Sequence, residues 1–273
     1  MKLDIRCPAK LNLFLAIGPK DRNGYHPLRT IFQAIDLCDG LEIDTEASET
    51  SISSPWSGLP RQNTVSKALR LASDCALIPP LRVVLHKAIP HAAGLGGGSS
   101  DAAGLLRALP RLGVAISGHH LLEIAGAVGA DVPFFLVGGR ARAEGYGEKL
   151  TSLPDPPAEW FVVAAPAIGC GTSEMYGALD VLRGPKWTEL APFPTEDILA
   201  NDFEQVAPPE SRSLIEALLH AGAKDAALTG SGSAVFGRFS NAEQAERARL
   251  SLPKVEGIRS WVAKSLGRSE SLA

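Results

Sequence analysis

A glycine-rich segment, Gly94-Leu95-Gly96-Gly97-Gly98-Ser99-Ser100, stands between a strand-like run and a helix-like run. Because glycine has no Cβ, such a loop lets backbone N–H groups approach a phosphate closely. The N-terminus of the following helix adds free N–H donors and the positive end of its dipole. The hydroxyls of Ser99 and Ser100 can donate to a phosphate, and Ser100 is our candidate ligand for Mg²⁺. The segment is therefore either a phosphate-binding loop or a flexible loop that ends in a serine helix cap.

Three better-known phosphate loops do not fit this spacing. A Walker A loop has Gly-Lys-Ser/Thr after its second glycine, and no lysine follows here. A dinucleotide fingerprint that starts at Gly94 needs glycine or alanine at position 99, which is serine. A protein-kinase loop needs valine after its last glycine and a His-Arg-Asp motif elsewhere, and both are missing from the sequence. If the loop binds phosphate, we expect Gly97→Val to block nucleotide binding without unfolding the protein.

Two charged residues lie in apolar surroundings, where an isolated charge is costly. Asp131 follows Gly129-Ala130 and precedes Val132-Pro133, and it is either a general base or a turn aspartate. Lys10 lies in the strand-like run from Ala9 to Leu15, and it is either a catalytic cation or an edge-strand lysine that faces water. As a pair, the lysine could keep the carboxylate ionised and polarise a substrate hydroxyl.

The elements that would position these residues alternate between strand and helix patterns in two halves. Predicted strands are 3–7, 11–15, 30–35, 41–44, 81–85, 160–165, 234–239 and 259–264, with buried strand or hairpin segments at 134–137 and 139–143. Predicted helices are 63–75 with Asn63 as its N-cap, 101–109 ended by Pro110, 117–128, 172–182, 210–220 and 241–250. A proline cluster at 154–157 indicates a domain boundary, which gives units of 1–153 and 154–273.

The composition excludes several other functions. The net charge is -3 and the pI about 6.1, so no broad basic surface is available for nucleic acid or an acidic membrane. The four cysteines form no C-x-x-C pair, which gives no sign of a zinc or redox motif. The sequence shows neither a signal-peptide pattern at its start nor an apolar run long enough for a transmembrane helix. We expect a cytoplasmic protein that is a monomer or a weak homodimer and acts on a small molecule.

The segment from Pro90 to Ala103 resembles the phosphate loop of the GHMP kinase superfamily, which includes galactokinase, homoserine kinase and mevalonate kinase. Pro8-Ala9-Lys10-Leu11-Asn12-Leu13 resembles the first motif of that superfamily, and the segment from Leu228 to Phe236 resembles the third. Three motifs in the right order make chance agreement improbable. The resemblance extends from about Pro8 to Lys264, and neither 184–194 nor the last nine residues contribute to it.

Four further segments narrow the resemblance to those GHMP kinases whose acceptor is a methylerythritol linked to cytidine diphosphate. They are Ala9 to Leu15, Asp21 to His26, Gly129 to Phe135, and Asn201 to Glu204. The resemblance implies an α+β, two-domain GHMP kinase fold, with ATP held by the N-terminal domain and the cleft completed by the C-terminal one. It also implies transfer of the γ-phosphate of ATP to an acceptor hydroxyl, with Mg²⁺, in non-mevalonate isoprenoid biosynthesis.

The same resemblance implies roles for individual residues. Lys10 and Asp131 would be catalytic. Asn63 and Lys87 would lie near the nucleotide together with the loop, although a helix cap and a solvated strand end explain them equally well. The acceptor would meet Asn12, Tyr25, His26, Tyr176, Thr229, Gly230, Ser231 and Gly232. In this arrangement the rings of Tyr25 and Tyr176 enclose the cytosine and His26 reads its edge. Asp101 would either help to hold Mg²⁺ or point away from it.

Two alternative functions remain open at this point. One is a GHMP kinase for another alcohol, such as homoserine or mevalonate, which carries no nucleobase. The other is a nucleotide-binding sensor that has lost catalysis, although the presence of both Lys10 and Asp131 argues against it.

Overall fold

The computed structural model of the chain describes residues 1–253 and 256–273. The first of its two sheets is built on two long antiparallel strands. Strands β1 (Lys2–Ile17) and β2 (Leu28–Asp44) each join two of the predicted short strands, with register shifts at Pro8/Ala9 and Asn12/Phe14. Proline cannot donate to a strand ladder, and an irregularity at Pro8 lets β1 continue past it. The sheet is completed by β3 (Ser51–Ser53), β4 (Arg82–His86), β5 (Arg140–Glu144) and β6 (Lys149–Ser152).

Four helices accompany this sheet and contribute to its apolar core. Helix α1 (Thr64–Ser73) starts at the predicted cap Asn63, whose side chain accepts from Ser66 N in a capping box. Helix α2 (Gly97–Arg111) starts inside the glycine loop, α3 (Gly118–Val128) starts at the cap Ser117, and α4 (Phe134–Val137) is a single turn. Buried side chains of α1, α2 and α3 pack against those of β1 and β2.

Two predictions for this half were wrong. Residues 134–137 form a helical turn instead of a strand, because Pro133 adopts φ -57° and ψ -35° and thereby starts a turn. Helix α2 begins four residues earlier than predicted and continues to Arg111, with Pro110 inside its last turn. At that position a proline removes only one backbone hydrogen bond, so it does not stop the helix before it.

The second sheet consists of the strands β7 (Trp160–Ala165), β9 (Ala226–Leu228), β10 (Val235–Phe239) and β11 (Arg259–Lys264). Its strand order is β11-β7-β10-β9, and it is entirely antiparallel. Helices α5 (Thr172–Arg183), α6 (Pro209–His220) and α7 (Ala242–Ser251) contribute to the core of this half. The predicted strands and helices of this half are confirmed, apart from small shifts at their ends.

Two segments of the second half of the chain contact the first half. Strand β8 (Ala200–Asn201) pairs in parallel with β1 at Phe14 and Leu15. The terminal turn α8 (Arg268–Ser271) accepts a 2.7 Å bond from Arg107 and a 2.9 Å bond from Gly139 N. These contacts fix the two halves on either side of a common cleft, while the division at 153/154 stays a proposal. No helix in the described part of the chain is both long and apolar enough to cross a bilayer.

Candidate active site

The cleft between the two sheets holds a cavity of about 580 Å³. This volume lies in the range of small-molecule binding sites. Residues from both halves line it, among them Lys10, Asn12, Asn63, Lys87, Gly94 to Ser99, Asp131, Tyr176 and Gly230 to Gly232. The structure therefore brings most of the sequence-predicted residues to one cavity.

The glycine loop is packed against the turn at residues 229–232. Gly94 has φ +78°, and a Cβ built on it would lie 2.1 Å from the carbonyl oxygen of Thr229. Gly230 has φ +57°, and its Cβ would lie 2.7 Å from the carbonyl oxygen of Gly94. Both positions need glycine, for the left-handed backbone and for the close approach of the two chains. The contact aligns the start of α2 with the opposite wall of the cleft.

The first turn of α2 offers backbone N–H groups to the cleft. Its first hydrogen bond within the helix runs from Ser100 N to Gly96 O (2.9 Å), so the N–H groups of Gly97, Gly98 and Ser99 precede the ladder. Such a helix start is suited to bind an anion. Of the two serines, Ser99 lines the cavity. Ser100 is fully buried, and its hydroxyl has no hydrogen-bond partner in the described part of the chain.

The structure changes our expectation for Gly97→Val. A Cβ on Gly97 would point into the protein, 3.0 Å from Ile89 Cγ2 and 3.2 Å from Asp39 Oδ2. Ile89 and Asp39 are buried, so a valine there disturbs packing as well as phosphate approach. Gly98 is exposed at the cleft, and its Cβ would meet only the side chain of Thr64, at 3.2 Å.

We therefore expect Gly98→Val to weaken ATP binding in a protein that still folds. The added side chain obstructs one or two charge-assisted hydrogen bonds to phosphate, which corresponds to a roughly 10- to 100-fold higher Kd. Nucleotide titration by calorimetry measures this change. Gly126→Val in α3 is the matched control, because a Cβ at Gly126 meets nothing within 4 Å. An unchanged Kd in a folded Gly98→Val protein would show that the phosphates bind elsewhere.

Lys10 and Asp131 form an ion pair at the floor of the cleft, with 3.7 Å between Lys10 Nζ and Asp131 Oδ2. The lysine side chain is buried, while the carboxylate keeps 34% of its surface exposed. Burial lowers the pKa of Lys10, and the neighbouring charge of Asp131 opposes that effect. The backbone N of Lys10 donates to Leu95 O (3.0 Å), which ties this strand to the glycine loop. The edge-strand alternative for Lys10 is wrong, because its side chain is inside the molecule.

Asn12 lies beside this pair and bonds to protein groups at both ends of its amide. Its Oδ1 accepts from Lys10 Nζ and from Gly230 N (2.8 Å), and its Nδ2 donates to Thr30 Oγ1 (2.7 Å). Thr229 is fully buried and its hydroxyl accepts from Asn12 N (3.1 Å). These bonds hold the 229–232 turn against β1. Substrate contact by Asn12 and Thr229 stays a prediction, while Gly230, Ser231 and Gly232 face the cavity.

Asn63 and Lys87 line the cavity, but their polar groups already have protein partners. Asn63 caps α1 and donates from Nδ2 to Pro60 O (2.9 Å). Lys87 Nζ lies between the buried carboxylates of Asp39 and Asp101 and bonds to both. Burial alone would lower the pKa of Lys87, yet the charges of Asp101 and Asp39 outweigh it and raise that pKa. Nucleotide contact by Asn63 and Lys87 therefore stays a prediction.

The carboxyl group of Asp101 makes the free energy of unfolding of the protein depend on pH. Burial, together with the charge of Asp39, raises its pKa from 3.8 to about 7. Between these two values the folded protein holds more protons than the unfolded chain, so the free energy of unfolding decreases as pH rises. Asp101→Asn removes this titration. We expect the free energy of unfolding of the variant to exceed that of the wild type increasingly from pH 5 to pH 8, by on the order of 1–4 kcal/mol.

Denaturant unfolding at several pH values measures the difference. Asp74→Asn, which removes an exposed carboxylate at the end of α1, is the control for the loss of an acidic side chain as such. A difference for Asp101→Asn that does not change with pH would contradict this assignment.

The aromatic residues are arranged differently from the predicted sandwich. Tyr25 is 65% exposed and packs on Tyr146, with 5.6 Å between ring centroids, and it does not line the cavity. Tyr176 lines the cavity, and its ring stacks on buried His26 at 4.9 Å. His26 Nδ1 bonds to Gly18 O (2.8 Å). The structure thus brings His26 and Tyr176 together but leaves Tyr25 outside the cavity, and the cytosine contacts stay predictions.

Sequence reasoning missed three features of the cleft. Trp56, with Leu59 and Pro60, forms an apolar part of the cavity wall. Thr172, at the first turn of α5, lines the opposite side, and its Oγ1 lies 3.0 Å from Ser231 Oγ. Asp39 anchors Lys87 and accepts from Ala88 N and Ile89 N. An exposed tryptophan in a Pro/Gly-rich segment was the available signal for the first; the other two depend on tertiary contacts between distant segments.

Two family models and a solved structure of the same fold define the class of the protein. Residues 63–139 match the model of the GHMP kinases N terminal domain, and residues 199–256 match the model of GHMP kinases C terminal. A solved homoserine kinase from Cytophaga hutchinsonii shares the fold at a TM-score of 0.70 and 18% identity, covering 99% of this chain and 96% of its own.

Curated relatives and a second solved structure narrow the class. A 4-diphosphocytidyl-2-C-methyl-D-erythritol kinase of Polaromonas naphthalenivorans is 39% identical over 86% of this chain and 85% of its own length. The kinase of the same name from Pelobacter propionicus is 36% identical over 97% and 99%. A crystal structure of 4-(cytidine 5'-diphospho)-2C-methyl-D-erythritol kinase has a TM-score of 0.82 and 30% identity, covering 97% of this chain and 100% of that one. The chain belongs to the 4-diphosphocytidyl-2-C-methyl-D-erythritol kinase family.

Proposed function

We propose that the protein transfers the γ-phosphate of ATP to a hydroxyl of 4-diphosphocytidyl-2-C-methyl-D-erythritol, a step of non-mevalonate isoprenoid biosynthesis. The observation that carries the proposal is the Lys10–Asp131 pair, which faces the cleft between the start of α2 and the 230–232 turn. The family to which the chain belongs supports the choice of donor and acceptor.

ATP binds in this proposal with its phosphates on the first turn of α2. The N–H groups of Gly97, Gly98 and Ser99 and the helix dipole offset phosphate charge there. The apolar wall of Trp56, Leu59 and Pro60 suits the purine at the same end of the cleft. In the described part of the chain no cluster of three or more His, Cys, Asp or Glu side chains could cage a metal.

Mg²⁺ fits this site as an ion carried mainly by the nucleotide. Mg²⁺ is bound in such sites by one or two protein oxygens together with substrate phosphates. The Ser99 hydroxyl lines the cavity beside the helix start and would hold it, while Ser100, our candidate from the sequence, is buried away from the cavity surface. When bound, the ion would neutralise part of the phosphate charge.

The acceptor hydroxyl is activated by the ion pair. Asp131 accepts the hydroxyl proton as the oxygen attacks the γ-phosphorus, and the bond from the phosphorus to the β-γ bridging oxygen breaks, which leaves ADP. Lys10, held by Asn12 and Asp131, presents a fixed positive charge to the reacting oxygens. Because the lysine is buried, this charge acts in a medium of low dielectric constant and needs no reorientation during the reaction.

The acceptor's own diphosphate has a second set of donors across the cleft. The first turn of α5, the hydroxyls of Thr172 and Ser231, and the backbone at Gly230 and Gly232 line that wall. Tyr176 lines the cavity on the same side, where its ring can contact the base. The proposal also includes a cytoplasmic location, a monomer or weak homodimer, and no nucleic-acid partner.

A coupled assay of ADP release tests the proposed substrate. Turnover should require 4-diphosphocytidyl-2-C-methyl-D-erythritol and should be absent with homoserine, with mevalonate, and with methylerythritol 4-phosphate, which lacks the cytidylyl group. Equal turnover with homoserine would remove the acceptor from the proposal. ATP binding without turnover on any of these alcohols would favour a nucleotide sensor.

Tyr176→Ala should raise the KM for the acceptor with little effect on the KM for ATP. Stacking of a base on an aromatic ring contributes about 1–3 kcal/mol in nucleic-acid sites, which corresponds to a roughly 5- to 100-fold higher KM. Initial-rate kinetics with each substrate varied in turn measures both constants. Tyr176→Phe keeps the ring and should stay near the wild type. A rise in the KM for ATP instead would show that Tyr176 belongs to the nucleotide side.

A further inference from the structure

The segment 184–194, which contributes nothing to the motif resemblance, supplies an aromatic ring to the back of the acceptor wall. The Trp187 ring stacks on His26, with 5.4 Å between centroids and 22° between planes. The His26 ring also stacks on the Tyr176 ring, at 4.9 Å and 18°. Both neighbouring rings thus stack on the imidazole with a small tilt, and Tyr176 lines the cavity.

Trp187 is held in place independently of the cleft. The guanidinium carbon of Arg183 lies 4.7 Å from the centre of the Trp187 ring, a cation–π contact. Arg183 also pairs with Asp202 (2.5 Å) and donates to Ile17 O (3.2 Å). Trp187 Nε1 donates to Glu189 O (3.2 Å). The ring is therefore fixed to the end of α5, to β1 and to its own segment.

The rest of the segment is also attached to the first sheet. Arg29 NH1 donates to the carbonyl oxygens of Leu190 (3.2 Å) and Ala191 (3.1 Å). Phe193 packs on Phe14, with 6.0 Å between centroids, and on the guanidinium of Arg142 at 4.8 Å. These contacts join the segment to β1, β2 and β5, and residues of β1 and β2 line the cavity.

His26 itself needs this support. Its Nδ1 bonds to Gly18 O, and its Nε2 lies 3.3 Å from Asp180 Oδ1 without hydrogen-bond geometry. Both contacts are made by nitrogen atoms at the edge of the ring, so they restrain rotation of the imidazole plane only weakly. Aromatic neighbours on its faces restrain that tilt directly, because stacked rings resist rotation out of plane.

We infer that Trp187 is a positioning residue for the acceptor: it presses His26 flat against Tyr176 and thereby sets the aromatic wall of the cleft. The inference rests on the proposed function for the identity of the acceptor. The geometric part, which concerns the stacking of three rings, is independent of the substrate.

Kinetics with two variants of Trp187 test the functional part. Loss of one aromatic contact predicts a roughly 2- to 12-fold higher acceptor KM for Trp187→Ala, with kcat and the KM for ATP within about twofold of wild type. Trp187→Phe keeps a stacked ring and should recover most of the change. Trp261→Ala is the matched control, because Trp261 lies on β11, contacts Arg259 (5.6 Å) and does not line the cavity.

Three outcomes would overturn the inference: an unchanged acceptor KM in Trp187→Ala, an equal rise in both KM values, or the same rise in Trp261→Ala. The imidazole proton and nitrogen resonances of His26 provide a second readout that needs no substrate. They should shift in Trp187→Ala and move back towards wild type in Trp187→Phe, through the ring current. Absence of wild-type turnover with the acceptor would refute the proposed function, whereas unshifted His26 resonances would refute the stack.

Discussion

Asp131→Asn should lower kcat by roughly 10²–10⁴ while the protein continues to bind ATP. Asparagine has the shape of aspartate but does not accept the hydroxyl proton, and it removes the negative charge beside Lys10. The Asp131 side chain is one-third exposed to the cleft and 3.7 Å from Lys10 Nζ, so it is accessible to an acceptor hydroxyl. Single-turnover kinetics with saturating ATP measures the chemical step directly.

The variant also leaves Lys10 buried without its counter-ion, which lowers the stability of the charged lysine. Thermal unfolding must therefore accompany the kinetics, so that a loss of activity is measured on folded protein. Asp74→Asn, an exposed carboxylate at the end of α1, should leave kcat unchanged. Near-normal turnover in Asp131→Asn would remove Asp131 from the mechanism.

Local sequence signals predicted most elements of the second half and the cap of α1. They did so because apolar periodicity and polar caps act within a few residues. The same signals divided β1 and β2 into short strands. In β1 the break fell at Pro8 and Lys10, and the polar residue Asn12 lies within the second predicted strand. Those polar side chains are accepted inside the sheet because they bond to each other and to the 229–230 turn, which is more than 200 residues away.

The motifs located the cleft, but they did not give the orientation of each side chain in it. Gly97 and Gly98 are neighbours in one motif, yet a Cβ on the first points at Asp39 and Ile89 while one on the second meets only Thr64. Trp187 was unpredictable for a different reason. Its role arises from a stack with His26, and no local pattern indicates which distant ring will lie on a histidine face.

Lys10→Met should separate catalysis from stability. Methionine has a similar length and no charge, so the variant loses the cation that stabilises the reacting oxygens, and kcat should fall by about 10²–10³. Asn12 Oδ1 keeps its bond from Gly230 N, so the 229–232 turn remains attached to β1. Lys67→Met in α1 is a matched control, because that lysine donates to Val128 O (3.0 Å) and does not line the cavity.

Stability should change in the opposite direction from activity and should depend on pH. Burial lowers the pKa of Lys10 below 10.5, so from its folded pKa up to 10.5 the unfolded chain binds more protons than the folded one. The free energy of unfolding of the wild type therefore rises with pH across that window, and the charged lysine is a cost to the fold below it. In the variant, Asp131 loses its ion-pair partner. Because its side chain is partly exposed to solvent, this loss lowers the free energy of unfolding little. Lys10→Met should thus unfold at or above the wild-type temperature at pH 7, and its advantage should shrink towards pH 10.5. An unchanged kcat in Lys10→Met would show that Lys10 does not act in the transfer. An unfolding temperature below that of the wild type in Lys10→Met, together with a wild-type unfolding temperature in Lys10→Arg, would show that the charge of Lys10 serves the fold.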